Sequence, residues 1–430
     1  MQTTKMQRQV VVSACFGTFL EWYDFLTFAS LATVFGQLFY PADDPVAGLL
    51  ASLATFGVGM LVRPLGAAFF GSLGDRIGRR KTFLATIILM GAATVLVGLL
   101  PTYAQIGLWA PVALVLLRMA QGMAVGGEIG GAAVYLTEHA PLEQRGLYTS
   151  VLQLMGPLGI MASSIQVIGL QFWLSAEDFQ AWGWRIPFLL SALLLAVSLK
   201  SRLSLHESPV FKALSDHHAL IASPLRECWR DRQIRWRMLL LFSCISAGGS
   251  LIFFSSQVYA GVFLKTVVGL SPTLAGGLLT AATLCLLPLT LLAGAMSDRV
   301  GRRPILLAGL ALGAVALLPV FHGLAICADQ PWLIFLLLLI LVVALACVTG
   351  PQTATLAELF PARVRYSAVA LPHNLAAGWI GGLSPLVVAW LGLQLDNPFA
   401  GLWYLVALLS VAFLIGWRYL PETRGADLNL

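Results

Sequence analysis

Stretches of roughly twenty apolar residues recur along the whole chain, each ended by a short polar or basic turn. A helix of about that length crosses ~30 Å of hydrocarbon. The pattern predicts twelve spans, with limits near 10–34, 47–70, 82–101, 109–136, 147–172, 184–203, 237–262, 272–294, 304–324, 331–357, 367–392 and 401–420. One long polar connection, rich in Arg, His, Asp and Glu, occupies 204–236. It divides the spans six and six. The expectation is an all-α integral membrane protein with six-helix bundles at 1–203 and 237–430, joined by a linker on the membrane surface.

Composition sharpens that reading. Of 430 residues, 58% are hydrophobic and 11% charged. Soluble domains sit near ~45–50% apolar and ~25% charged, so an ordinary cytosolic enzyme is excluded. The 41 glycines and 21 prolines fit as well, because both are more frequent in membrane helices than in soluble ones. The net charge of +6 matters less than where the charge lies. All Lys and Arg but Arg63, Arg118, Arg185 and Lys265 fall on one side of the predicted spans, from Lys5 and Arg8 at the start to Arg418 and Arg424 at the end. Basic loops stay in the cytoplasm. Both termini are therefore expected there, in a multi-pass protein of the inner membrane. The basic linker can meet anionic lipid, although setting topology is its plainer role.

Cys15, Cys228, Cys244, Cys285, Cys327 and Cys347 stand singly, mostly in apolar runs. No CxxC or metal spacing occurs, so neither disulfides nor a metal are expected. The first apolar run carries Glu21 and Asp24, which no signal-peptide core tolerates. No cofactor motif appears, and no nucleic-acid partner is expected.

The chain repeats itself. Gly71–Arg80 reads GSLGDRIGRR and returns as GAMSDRVGRR at Gly294–Arg303, 223 residues on. Glu138, Pro141 and Arg145 return as Glu358, Pro361 and Arg365, 220 residues on. Two matches at nearly one offset indicate two homologous halves, and parallel repeats are a known transporter plan.

The repeated D-R-x-G-R-R loop resembles the signature between the second and third helices of the major facilitator superfamily. Finer resemblance covers nearly the whole chain. Gly17–Phe25 (GTFLEWYDF), Arg63–Gly66 (RPLG), Arg118–Gly122 (RMAQG) with Gly126-Gly127-Glu128, Trp182–Phe188 (WGWRIPF), Glu358–Pro361 (ELFP) and Gly381-Gly382 are similar to the metabolite:proton symporters of that superfamily. The resemblance implies the major facilitator fold. It also implies proton-coupled uptake of a small organic anion, such as citrate, tricarballylate or α-ketoglutarate. The alternatives are shikimate or a zwitterionic osmolyte, proline or betaine. The osmosensing type carries a long C-terminal coiled-coil tail. This sequence ends about ten residues after its last span, which favours the carboxylate. The repeated loops would act as gates: Asp75 with Arg79, Arg80, Glu138 and Arg145, and Asp298 with Arg302, Glu358 and Arg365. A carboxylate there can pair with arginines and with a helix N-terminus.

Charge at bilayer depth is costly, so it marks function by default. Glu21 and Asp24 are three residues apart and share a helix face near mid-membrane. Crowding and desolvation both favour holding a proton, as a carrier must. Arg118 lies at similar depth on the fourth span. By resemblance to sugar porters, whose first-helix aspartate and fourth-helix arginine match Asp24 and Arg118, it would release Asp24 to take the proton. It can equally fork onto a substrate carboxylate. Glu128 is either a second proton site or a gate residue. Arg63, ~12 Å from the turn at Gly71, either anchors an anion or snorkels to the interface. Gln121, Gln153, Gln257, Tyr259, His373 and Asn374 complete the expected substrate cavity, Gln153 by analogy with a fifth-helix glutamine of sugar porters. A membrane enzyme is the competing class. It would need a catalytic or cofactor motif, and none is found. A sensor would need a signalling domain, for which neither end offers the length. The protein is expected to work as a monomer.

Overall fold

In hydrocarbon no water is available to backbone amides, so apolar runs must close their hydrogen bonds internally, as helices. The computed structural model describes residues 2–41, 45–203, 207–217 and 220–428, and every regular element among them is helical. Parts of the expected linker, 204–206 and 218–219, lie outside the described residues, as do the side chains of Lys5 and Arg8.

The helices run in order α1 (Gln2–Ser30), α2 (Ala32–Phe39), α3 (Pro45–Ile77), α4 (Arg79–Leu99), α5 (Tyr103–Ile106), α6 (Trp109–His139), α7 (Arg145–Gln153), α8 (Met155–Trp173), α9 (Ala176–Ala181), α10 (Ile186–Leu203), α11 (Pro209–Asp216) and α12 (Pro224–Arg230). They continue with α13 (Arg232–Leu240), α14 (Ala247–Phe253), α15 (Ala260–Thr266), α16 (Pro272–Val300), α17 (Arg302–Ile326), α18 (Pro331–Glu358), α19 (Arg365–Leu375), α20 (Gly382–Gln394) and α21 (Ala400–Tyr419). Eleven stretches among the described residues are long and apolar enough to cross a membrane. The expected first span, 10–34, is not one of them. It is shared between α1 and α2, and α1 carries Glu21 and Asp24. The seventh and eleventh spans contain π-helical turns, at Leu241–Ser246, Phe254–Tyr259 and Ala376–Gly381. Such turns widen a helix and frequently mark functional sites.

The chain divides into two units, Met1–His139 with Met155–Leu225, and Ala140–Leu154 with Arg226–Leu430. In the first, α3 and α6 meet backbone to backbone. A Cβ on Gly122 would sit 2.1 Å from the Gly59 carbonyl oxygen, and one on Gly126 2.0 Å from that of Arg63. Small residues allow this approach where apolar surface alone gives no preference for a helix over lipid. At one end of the unit Phe28, Phe35, Phe39 and Phe188 close around Trp184. The edge of Trp184 meets Phe35 and Phe39, each at 5.5 Å between centroids. Next to it, Arg185 donates to the carbonyls of Gly98 and Leu100 at 2.8 Å. That gives the WGWRIPF motif a local purpose, fastening α10 to the end of α4.

In the second unit α18 packs between α16 and α17. A Cβ on Gly350 of α18 would lie 2.9 Å from the Thr290 carbonyl of α16, and one on Gly309 of α17 would lie 2.8 Å from the Ala344 carbonyl of α18. The short α7 belongs to this unit and crosses α16 where Gly146 and Gly294 face each other.

Candidate functional site

The interior of the first unit holds charge far from any chain end. Asp24 is fully buried on α1 and accepts from Ser191 Oγ of α10 at 2.5 Å. Thr94 of α4, and Arg118 and Glu128 of α6, also act on it. Arg118 is also fully buried and donates through Nη1 to Gln121 Oε1 at 2.7 Å. Gln121 Nε2 in turn donates to Thr94 Oγ1 at 2.8 Å. The guanidinium lies over Phe28 at 4.1 Å and Phe25 at 4.8 Å, a cation–π arrangement worth most when desolvated. Four helices thus place one carboxylate and one guanidinium in a shared polar chain.

Glu21, one turn away on α1, belongs to a second group. The charges around it are Glu128 of α6, Arg63 of α3 and Arg202 of α10. Glu128 pairs with Arg202 at 2.5 Å. Arg63 is buried and points Nη1 at Met60 Sδ, 3.5 Å away, so it does not snorkel. Arg202 was counted from sequence among the basic residues of the cytoplasmic side. The structure buries it completely.

The polar residues named for the second unit lie in separate small groups. Gln153, the last residue of α7, donates to Thr353 Oγ1 at 3.0 Å and Gln352 Oε1 at 3.3 Å on α18. His373 Nδ1 pairs with Ser246 Oγ at 2.9 Å. Gln257 accepts from Thr283 Oγ1 at 2.7 Å. Asn374 donates to the Ala370 carbonyl one turn back at 2.8 Å. The ring of Tyr259 packs with those of Phe263 and Phe321. Sequence reasoning missed Gln352 and Thr353, which lie inside a long apolar run.

The repeated loops build the same network twice. Arg79 pairs with Asp75 at 3.3 Å and Glu138 at 3.8 Å. Arg302 pairs with Asp298 at 2.7 Å and Glu358 at 3.4 Å. Glu207 Oε1 accepts from the backbone N–H of Arg79 and Arg80, at 3.1 and 3.2 Å. Glu422 accepts from the backbone N–H of Arg302 through Oε1 and of Arg303 through Oε2, at 2.8 and 3.1 Å. Ser208 donates to Glu138, and Thr423 to Glu358. Arg80 and Arg303 each donate to a carbonyl at the end of the half's last span, Leu203 and Trp417. Glu207-Ser208 and Glu422-Thr423 also stand at one offset, a third match between the halves. In the second unit Arg145 Nη1 reaches Glu358 at 3.3 Å, and Asp298 accepts from the N–H groups of Gly146 and Leu147 at 2.8 Å each. Asp298 therefore caps the start of α7. Arg365 donates to the carbonyls of Ala357, Phe360 and Leu428. Among the described residues no group of three or more His, Cys, Asp or Glu is placed to hold a metal.

A family model described as Sugar (and other) transporter matches residues 10–224 and again 217–430. The chain belongs to this family. Like the family, this transporter is not an enzyme. It is 36% identical to the inner membrane metabolite transport protein YhjE of Escherichia coli K12, over 98% of this chain and 96% of that one. It is 34% identical to the glycine betaine/proline/ectoine/pipecolic acid transporter OusA of Dickeya dadantii, and 35% to a proline/betaine transporter of Salmonella typhimurium. Each of those two matches covers 98% of this chain and 85% of the relative. The proton:xylose symporter XylE bound to 6-bromo-6-deoxy-D-glucose superposes with a TM-score of 0.82 at 20% identity, covering 99% of this chain and 98% of that one. The fold of this transporter is therefore the major facilitator fold.

Proposed function

We propose that this transporter is a proton-coupled symporter that takes up a zwitterionic osmolyte of the proline or betaine type by alternating access. Its place is the inner membrane, with both termini cytoplasmic, as the one-sided basic residues require. The observation that carries the reading is the pair of osmolyte transporters at 34% and 35% identity across nearly the whole chain. The sequence alone pointed first to citrate, tricarballylate or α-ketoglutarate. The relatives favour the alternative. A zwitterion still presents a carboxylate, for which Arg118 is the fork-shaped partner. Its cationic end suits an aromatic face such as Phe25 or Phe28, which flank that arginine. Asp24 takes the coupled proton, and Ser191 and Thr94 hold its carboxylate in place.

A thermal-shift screen of the purified protein tests the substrate. Ligand binding raises apparent stability by mass action. Proline or glycine betaine should raise the unfolding temperature, while citrate, tricarballylate, α-ketoglutarate, succinate and shikimate should not. A shift from one of those carboxylates alone would return the reading to an organic anion.

A further inference from the structure

The transporter buries more charge in its first unit than one proton site needs. Glu21, Arg63, Glu128 and Arg202 are each at most 3% exposed. Two carboxylates and two guanidiniums make the group neutral overall, so it can exist away from water. Arg202 is the member that organises it. It pairs with Glu128 at 2.5 Å, donates through Nη1 to the Phe83 carbonyl at 2.8 Å and stacks on the Phe83 ring at 3.4 Å. Its place against α1 exists because residue 17 is glycine. A Cβ there would lie 1.4 Å from Arg202 Nη2 and 2.8 Å from Glu128 Oε1. Gly17 and Glu21 are four apart and share a face. The ion pair therefore sits one turn below Glu21, whose Oε2 is buried and accepts no hydrogen bond among the described residues.

The group is displaced along the bundle from Asp24 and Arg118. Glu128 lies ten residues beyond Arg118 on α6, and Arg202 eleven beyond Ser191 on α10, roughly 15 Å in each case at 1.5 Å per residue. Both steps lead toward the end of the unit that carries the Arg79–Arg80 turn. Among the described residues the charges acting on Glu21 are Arg63 from α3, Glu128 from α6 and Arg202 from α10, with Asp24 three residues further along α1. The α8 face that also packs on α1 has no ionisable side chain.

We propose that Glu21 and Glu128, positioned by Arg202 in the clearance left by Gly17, form a second proton station between Asp24 and the Arg79 end of the bundle. The O–H bond of protonated Asp24 breaks, one forms on a carboxylate oxygen of Glu21 one turn away, and the negative charge returns to Asp24; Glu21 then passes the proton on to Glu128. The station then loses the proton to water at the Arg79 end. Arg202 is a positioning residue: it holds Glu128 and shares its charge with Glu21.

The proposal rests on the proton-coupled reading, and proteoliposomes separate the two. The full-length protein is given labelled glycine betaine, with accumulation driven by an imposed pH gradient read beside counterflow exchange. Glu21→Gln, and the neutral double variant Glu128→Gln with Arg202→Gln, should each lose about tenfold or more in accumulation while counterflow falls less than about threefold. Glu21→Asp should recover accumulation. Gly17→Ala should lose it, because the added methyl displaces Arg202. Wild-type accumulation in Glu21→Gln and in the double variant would overturn the station. So would equal loss of counterflow and accumulation in both, which marks a packing element. A wild-type protein that exchanges betaine but never accumulates it on a pH gradient would overturn the coupled reading itself.

Discussion

Asp24 and Arg118 lie on different helices, and their relation is made by two uncharged residues between them. Gln121 takes one guanidinium N–H and passes its own amide N–H to Thr94, which stands beside Asp24. Such chains respond to the state of every member, since each buried polar atom left without its partner costs about 1–3 kcal/mol. Asp24→Asn keeps an oxygen for Ser191 to donate to and removes the proton acceptor. The expected outcome is loss of pH-driven accumulation with continued exchange of labelled for unlabelled substrate. Accumulation that survives the substitution would put the proton on Glu21 or Glu128. Arg118→Lys is expected to fail as well. A point charge cannot both hold Gln121 and fork onto a carboxylate, so affinity should fall about tenfold or more. Thermal-shift titration measures it, and full uptake by Arg118→Ala would refute a substrate role.

At the scale of elements, the two repeated turns place a glycine where no other residue fits well. Gly78 and Gly301 adopt φ of +115° and +117°, and a Cβ on either would press on Glu207 or Glu422. Those glutamates hold the first N–H groups of α4 and α17, where a carboxylate also meets the positive end of the helix dipole. Glu207→Gln and Glu422→Gln should each cost about 1 kcal/mol of stability, read as a lower unfolding temperature, with substrate affinity within about threefold. Asp75→Asn should slow transport and leave affinity within about a few-fold, since Asp75 serves Arg79 at the loop. A large affinity loss with intact cycling would contradict that role. The repeat, the span positions and the buried carboxylates were legible because each breaks a strong background of apolar residues. Arg202 was not. A basic residue near the end of a span reads as topology, and only the packing of α10 on α1 and α4 reveals it as buried. Gln352 and Thr353 were lost for the opposite reason, since two uncharged polar residues barely alter the most apolar run in the chain. The π turns leave no periodic signature at all.

At the scale of the whole molecule, the identity of the substrate fixes the electrical character of the cycle. A zwitterion has no net charge at neutral pH, so each co-transported proton carries one positive charge inward. An inside-negative potential of 100 mV contributes ~2.3 kcal/mol per charge. At ~1.4 kcal/mol per factor of ten, that supports close to fiftyfold accumulation with no pH gradient. A trivalent anion moving with one proton would instead carry two negative charges inward and be opposed by ~4.6 kcal/mol. It could accumulate only with more protons than the Asp24 site holds. At one proton per substrate the two readings therefore differ in sign under a single measurement. Proteoliposomes at equal internal and external pH, clamped by a potassium diffusion potential, should accumulate labelled proline or betaine when the interior is negative. They should lose it when the polarity is reversed. The same potential should do nothing for Asp24→Asn, in which substrate alone can cross and no charge moves with it. Uptake by the wild-type protein that ignores the potential would mean a cycle without net charge, and would exclude one proton moving with one zwitterion.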